Sequence, residues 1–313
     1  MASVSVVGGG VIGLTTALEL ARVAHVVRCF RDRDVEDTVS RVAGGLWYPY
    51  HVEPRDRAVR WGLESLVRFT EIAAAEPFEV TGVRLATGVL VHREEPDLWW
   101  TAGVKDVRPA RTDELPCGVL RGTVATLPLI DTGRYLPWLE HQCARAGVEF
   151  VDRHIGVIDD LPPGDVVVVA CGLRSGALTG DTDLSPARGQ VVRLANPGLT
   201  DWLVDGDDPT RLTYVLPHGE TVVCGGTDVP GDWNVEVDPL TEEAVLARCI
   251  AAVPALAGAP VVGRAVGLRP VAPAVRLERH TDGGRTIVSN YGHGGAGVTL
   301  SWGCADEVAR LVR

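Results

Sequence analysis

Lysine is nearly missing from this 313-residue chain: Lys105 stands alone against 29 arginines. No run of positive charge occurs, the net charge is −11 and the pI is near 5.2, so the basic face that a nucleic-acid partner requires is absent. The arginine bias reads as the codon usage of a GC-rich, bacterial genome and not as a device for anions. Long apolar runs are missing as well. No stretch approaches the roughly 20 residues of a membrane span, and the N-terminus lacks the layout of a signal peptide. Cysteine pairing is the third absence. The cysteines at 29, 117, 143, 171, 224, 249 and 304 are odd in number and dispersed, with no CxxC, and read as reduced thiols of a cytoplasmic protein. No spacing of ligating residues points to a metal. What remains, 46% hydrophobic residues with only 5% aromatics, is ample for a large core in one complex domain or two.

The N-terminal stretch SVSVVGGGVIGLTTALELARVAHVVRCFRD is one of the most legible. Val4, Val6 and Val7 form a short buried-strand pattern that ends on glycine. Gly8, Gly10 and Gly13 then fit G-x-G-x-x-G, helical spacing runs from Val11 to Arg22 through Ile12, and His25–Phe30 reads as a second strand followed by Asp32. Gly8 permits the tight turn, Gly10 lets the backbone approach a pyrophosphate, and Gly13 allows close helix–strand packing. The helix N-terminus offers N–H groups to phosphate, and the acid accepts from ribose hydroxyls. This pattern suits NAD and FAD equally. Arg31 either stacks on an adenine or points to solvent.

Further along, AGGLWYPY (43–50) places two glycines against something flat, or forms an ordinary packed loop. Residues 61–76 predict an amphipathic helix, 83–94 strands, 132–146 a helix followed by the strand VEFV, and VVVVACG (166–172) a parallel strand buried on both faces. VVRLAN, RLTYVLPHG and ETVVCGGTD alternate as antiparallel strands do, and 241–256 reads as a helix. The chain closes as strand, glycine loop and helix. Parallel α/β signals thus occur at the start, near 150–190 and at the end, with α+β between, so two domains are each assembled from separate segments. In NYGHGGAGVTLSWG, Gly292, Gly294, Gly295 and Gly297 precede a helix from about Val298, a second helix N-terminus that suits a negative or electron-accepting surface or else a tight packing turn. Arg269 is the sole charge of AVGLRPVAP. A guanidinium cannot shed its charge, so it reaches solvent, pairs with a protein acid, or awaits an anion from outside.

VVGGGVIG, AGGLWYPY, VVVVACGLRSGAL, RGQVV, LTYVLP, CGGTDVPGDW, VGLRP and NYGHGGAGVTLSWG stand in the order of the D-amino acid oxidases, and the chain resembles that family, with its D-aspartate oxidase relatives, over essentially its whole length. Glycine and sarcosine oxidases share the first motif and fit the later ones less well. The resemblance implies an α/β fold: a Rossmann-like FAD domain (1–54, 138–190 and 265–313) with an interleaved α+β substrate domain (55–137 and 191–264) built on a mostly antiparallel sheet. It implies non-covalent FAD, a D-amino acid and O2 as partners, and a homodimer as one allowed assembly. Hydride would pass from the substrate α-carbon to the flavin, and the imino acid would hydrolyse to a 2-oxo acid, with H2O2 as by-product. Catalysis is then mostly orientation. By resemblance Arg269 grips the α-carboxylate as a fork, Tyr214 adds its hydroxyl, and the Gly295 carbonyl receives the amine. The cofactor would be held by Gly8, Gly10, Val11, Ile12, Gly13, Arg31, Asp32, Ser40, Gly44, Gly45, Leu46, Cys171, Gly172, Gly292, His293, Gly294, Gly297, Val298 and Thr299. Leu46, Tyr48, Leu216 and Asp228 would wall the substrate pocket. An FAD-dependent dehydrogenase with another electron acceptor, or another amine oxidase, is the alternative.

The chain departs from the family twice. The segment 205–212 before Tyr214 is short and lacks the second tyrosine of mammalian lids, so no mobile aromatic lid is expected. Asp228 stands where relatives carry tyrosine, phenylalanine or, in D-aspartate oxidases, arginine. If it faces the pocket it disfavours acidic substrates and favours neutral or basic ones; otherwise it is a turn aspartate pointing to water. The ARLVR terminus lacks the peroxisomal tripeptide of eukaryotic relatives.

Overall fold

The structure, a computed structural model, describes residues 2–313. Ser3–Val7 is a buried strand, and Gly8 turns the chain with φ +127°, a region closed to most side chains. The helix Val11–Arg22 follows with the bounds its periodicity predicts, and the strand Val26–Arg31 returns parallel to the first. Glu149–Asp152 and Val166–Val169 flank this pair, again parallel, and Arg285–His293 lies parallel to Val166–Val169. From Arg285–His293 outward the sheet turns antiparallel through Val261–Asp282, Ser185–Ala195, Thr221–Gly225, Thr213–His218 and Trp202–Asp205. Val83–His92 then joins parallel to Trp202–Asp205 and antiparallel to Arg121–Ile130. The result is one continuous 14-stranded sheet, parallel at one end and mostly antiparallel at the other.

The helices Val11–Arg22, Gly297–Val312 and Arg55–Ala75 pack in succession, and Thr132–Arg145 covers the other side of the first. Although 55–75 falls in the stretch assigned to the substrate domain, this helix is fastened to the C-terminal helix. A Cβ at Gly303 would lie 2.3 Å from the Trp61 carbonyl oxygen. The Gly303 amide donates to Ser65 Oγ (3.0 Å), and Glu307 accepts from Trp61 Nε1 and from Arg57, both at 2.6 Å. The helix begins at Arg55, six residues before its expected start, because the polar first turn carries no apolar signal. Trp47, Trp61, Trp202 and Trp302 are all fully buried, each with roughly 2–3 kcal/mol of burial to contribute. Trp202 lies flat on Gly88, where a Cβ would be 2.2 Å from its ring, and donates to the Ala86 carbonyl at 2.8 Å. All seven cysteines are free, and no helix among the described residues is long and apolar enough to cross a membrane.

Candidate active site

One cavity of about 590 Å³ runs along the carboxyl ends of the parallel strands and under the antiparallel sheet. Its first end is the glycine loop. A Cβ on Gly8 would lie 2.3 Å from the Ala170 carbonyl oxygen, and one on Gly13 1.8 Å from that of Gly8, so both glycines serve the crossing of loop, strand and helix. Gly13 accordingly lies off the cavity wall while Gly8, Gly10, Val11 and Ile12 line it. The Val11 amide donates to Ser40 Oγ (3.0 Å), and no side chain caps the helix at Gly10. Val11 and Ile12 of its first turn line this end of the cavity. Asp32 lines the same end and accepts from Arg174, and from Arg33 at 3.3 Å. A carboxylate has lone pairs to spare for a ribose. Arg31 is held at the wall, neither loose in solvent nor free to swing. It pairs with Glu140 and with Asp152 (2.7 Å) and sits 4.8 Å over the Phe150 ring.

The middle of the cavity lies between Ala43–Leu46 on one side and the second glycine loop on the other, with Cys171 and Gly172 below. Gly45 has φ +78°, and its Cβ would fall 1.9 Å from the Ile130 carbonyl oxygen. Gly294, Gly295, Gly297 and Val298 line the cavity, and the helix Gly297–Val312 starts without a side-chain cap. Two predicted contacts lie elsewhere. Gly292 is a packing glycine, with φ +80° and Ala272 Cβ 2.9 Å from a Cβ there. Thr299 is off the wall, and its hydroxyl donates to the Tyr48 carbonyl (3.0 Å) and accepts the Tyr48 amide (3.1 Å). That staple fixes Tyr48, whose phenol is pushed up to about 12 by burial. His293 is buried, its Nε2 has no partner, and desolvation pushes its pKa down to about 3. Asn290 Oδ1 is also buried and unpartnered, while its Nδ2 donates to Thr16. Lining residues with unpartnered polar atoms, a helix start at Gly297 with no side-chain cap and a bed of glycines fit a long polar ligand with flat rings, as FAD is.

At the far end Arg269 answers the question its sequence raises. Its Nη1 donates to the Thr227 carbonyl (2.9 Å) and reaches Asp228 Oδ1 at 3.5 Å. Among the described residues no protein carboxylate or carbonyl takes Nε or Nη2, and the Tyr214 hydroxyl lies within reach of the guanidinium, so this edge of the fork is left for an anion. That guanidinium lies flat on Gly189, where a Cβ would be 2.5 Å from Nη2, and beside Gly295. Tyr214 stands next to it; burial raises its phenol pKa and the Arg269 charge opposes the rise, so the hydroxyl stays a donor. Tyr214 has its place because Gly225 and Gly226 lie against its phenol, where Cβ atoms would be 2.1 Å from Cζ and 2.8 Å from the hydroxyl oxygen. Leu216 and Tyr48 complete this wall.

Asp228 is neither a lining residue nor a turn aspartate in water. Its side chain is 20% exposed and sits between Arg269 and the Tyr50 hydroxyl, which donates to it at 3.4 Å. Tyr50 was not foreseen as a wall residue, nor were Trp233, Val235 and Gly189. Tyr50 had a signal, since it ends the same AGGLWYPY segment as Tyr48. Its burial and Asp228 both raise its pKa. Trp233, 63% exposed, stands at the cavity rim on a segment held by the buried Arg188, which donates to the Asn234 (2.8 Å) and Glu236 (2.6 Å) carbonyls. No mobile lid tyrosine is needed for an aromatic wall, because Tyr50 supplies one from a different segment.

The chain is similar to two bacterial D-amino-acid oxidases. It is 46% identical to that of Streptomyces coelicolor, over 98% of this chain and 96% of the relative, and 42% identical to that of Rubrobacter xylanophilus, over 98% and 94%. Its fold matches the crystal structure of glycine oxidase from Geobacillus kaustophilus with a TM-score of 0.84 at 21% identity, covering 100% of this chain and 95% of the other. The family model described as DAO, FAD dependent oxidoreductase, matches residues 3–311, and the chain belongs to that family.

Proposed function

We propose that this chain catalyses the oxidative deamination of D-amino acids with FAD, with dioxygen as final oxidant, so that substrate, O2 and water become a 2-oxo acid, ammonia and H2O2. The observation that carries the reading is a fork with one free edge at the end of a dinucleotide cavity. The Nε–Nη2 edge of Arg269 matches a carboxylate in two parallel bonds. The Tyr214 hydroxyl donates to the same group, and the Gly295 carbonyl accepts from the amine. These contacts fix two substituents of the α-carbon, the carboxylate and the amine; once the side chain takes the pocket walled by Tyr48, Tyr50 and Leu216, one hand alone turns its α-hydrogen to the ring. FAD, held by the glycine loops and both helix N-termini, supplies an electron-accepting ring when bound. The protein's share is orientation and exclusion of water by Tyr48, Tyr50 and Leu216.

Segments 1–54, 138–190 and 265–313 hold the cofactor and 55–137 with 191–264 cover the substrate, although Arg269 and Gly295 reach the substrate from the first unit and the antiparallel strand Val261–Asp282 crosses from one to the other. Asp228 sets the side-chain preference. Asp228 lies behind the wall and acts from there: its charge offsets part of that of Arg269 beside the substrate, which leaves the pocket less favourable to a second, acidic group. The location is cytoplasmic, a reading supported by seven unpaired thiols. Turnover of D-lysine against D-aspartate, with peroxide counted per imino acid formed, tests the reading. One peroxide per turnover and a lysine-to-aspartate ratio that falls in Asp228→Ala are expected. An unchanged ratio removes Asp228 from specificity, and no peroxide removes dioxygen as the acceptor.

A further inference from the structure

At the parallel end of the sheet the strands lie in the order Arg285–His293, Val166–Val169, Ser3–Val7, Val26–Arg31 and Glu149–Asp152. All run the same way, so their carboxyl ends form one crest, and the glycine loop leaves from the middle of it. Arg174 closes the short turn Gly172–Arg174 that follows Val166–Val169. Its side chain reaches past the end of Ser3–Val7. Its Nη1 donates to Asp32, just beyond Val26–Arg31. Its Nη2 donates to His154 Nδ1 (2.7 Å) and reaches the Ile155 carbonyl (3.3 Å), both beyond Glu149–Asp152. One guanidinium thus ties three strand ends together beside the glycine loop. Arg174 lines the main cavity there with Gly8, Gly9, Gly10 and Asp32.

The charges at this end balance only with Arg174 counted. Arg31 is already shared between two acids, Glu140 and Asp152. Asp32 has two cationic neighbours, Arg174 and Arg33. Arg33 is the weaker one: it stands 3.3 Å away and is half exposed, so water and salt screen most of its effect. His154 Nδ1 lies 3.4 Å from Asp32, but that nitrogen accepts from Arg174 and brings no proton. Asp37 also lines the cavity and adds to the negative side. A dinucleotide brings two further negative charges, on a diphosphate laid against the glycine loop. An acid that accepts from the ribose therefore stands close to a like-charged group and repels it unless a cation offsets the acid.

We propose that Arg174 is that cation. It supplies the countercharge of Asp32 and fixes the carboxylate, so that Asp32 keeps lone pairs for the ribose without repelling the diphosphate. Arg174 acts through Asp32 and is a positioning residue for cofactor retention. The inference rests on FAD as the cofactor and is independent of which amino acid is oxidised.

The test is the dissociation constant of FAD, measured by ultrafiltration of the full-length holoenzyme with flavin absorbance read in the filtrate. Arg174→Gln should weaken FAD binding about tenfold or more. The loss should shrink in high salt, because it comes from repulsion between two charges that salt screens. Adding Asp32→Asn to Arg174→Gln should tighten FAD binding at least about threefold over Arg174→Gln alone, because the stranded carboxylate is gone. A purely architectural Arg174, or one that holds the diphosphate directly, gives no such rescue. In Arg174→Lys one ammonium can replace Nη1 at Asp32, and FAD affinity should stay within about threefold of wild type. Unchanged FAD binding in Arg174→Gln, or no rescue by Asp32→Asn, would overturn the proposal. A tenfold loss in Arg174→Lys would do the same, and decides the matter even if the glutamine variant does not fold. A wild-type chain with no affinity for FAD would overturn the cofactor reading as well, whereas equal affinity in wild type and Arg174→Gln overturns this inference alone.

Discussion

Gly189→Ala probes the carboxylate grip without touching a charged or polar group. A methyl at this position would lie 2.5 Å from Arg269 Nη2 and 2.7 Å from Cζ and Nη1. Ordinary contact needs about 3.5–4.0 Å, so the guanidinium must retreat by about 1 Å. The strand itself has little reason to move, since the clash falls on the far end of a long side chain and the pairing of Gly189 with Gly267 is made by backbone. A misplacement of about 1 Å at a reacting centre costs on the order of a hundredfold in rate. The assay is kcat/KM for a neutral D-amino acid, beside flavin content and thermal midpoint. The expected outcome is a fall of about a hundredfold with a folded, flavin-loaded protein. A kcat/KM within threefold of wild type in such a protein would refute the reasoning, because Arg269 would then not need the place where Gly189 allows it to lie.

Tyr214→Phe removes one donor to a charged group, worth about 1.5–3 kcal/mol, and should raise KM about tenfold or more in steady-state kinetics, with flavin content unchanged. Gly13→Ala drives a methyl into the Gly8 carbonyl at 1.8 Å; flavin retention through gel filtration should be lost, and full retention would contradict the close crossing. Acid should destabilise the fold early. His293 and His218 are pushed down from 6.5 to about 3 and about 4 by burial, so below pH 6.5 the unfolded chain takes up protons that the folded one refuses. Stability then falls as pH drops, by about 1.4 kcal/mol per pH unit for each ring. Urea unfolding between pH 7 and 5.5 measures it, and a flat profile contradicts the two buried neutral imidazoles.

The segments that were legible in the sequence are those whose pattern is local. The strand–glycine–helix unit at 3–31, the helix Thr132–Arg145 and the strand–loop–helix end all form where their apolar spacing predicts. The 22-residue strand Val261–Asp282 had no such pattern, because Pro270 and Pro273 interrupt it and its pairing shifts register between Val271 and Arg276. Trp202–Asp205 carries no readable pattern, because a four-residue strand paired on both sides has too few positions to show a period. In the site, motif residues brought their neighbours with them, as Gly44, Gly45 and Tyr48 did. What the sequence did not disclose is convergence across distance. Tyr50, Asp228 and Arg269 meet from three separate segments, and Gly189, Gly225 and Gly226 gain their meaning only from the side chains that lie on them. The ends of the cavity were readable in type, while the partners that tune Arg269 were not.

The most direct test is to mix the flavin-loaded protein anaerobically with matched D- and L-amino acids and follow the visible flavin absorbance. Rapid bleaching by D-forms alone, slowed at least about tenfold in Arg269→Leu, is the expected result. No bleaching by any D-amino acid, or equal bleaching by both hands, would contradict a free guanidinium edge that holds a D-amino acid carboxylate.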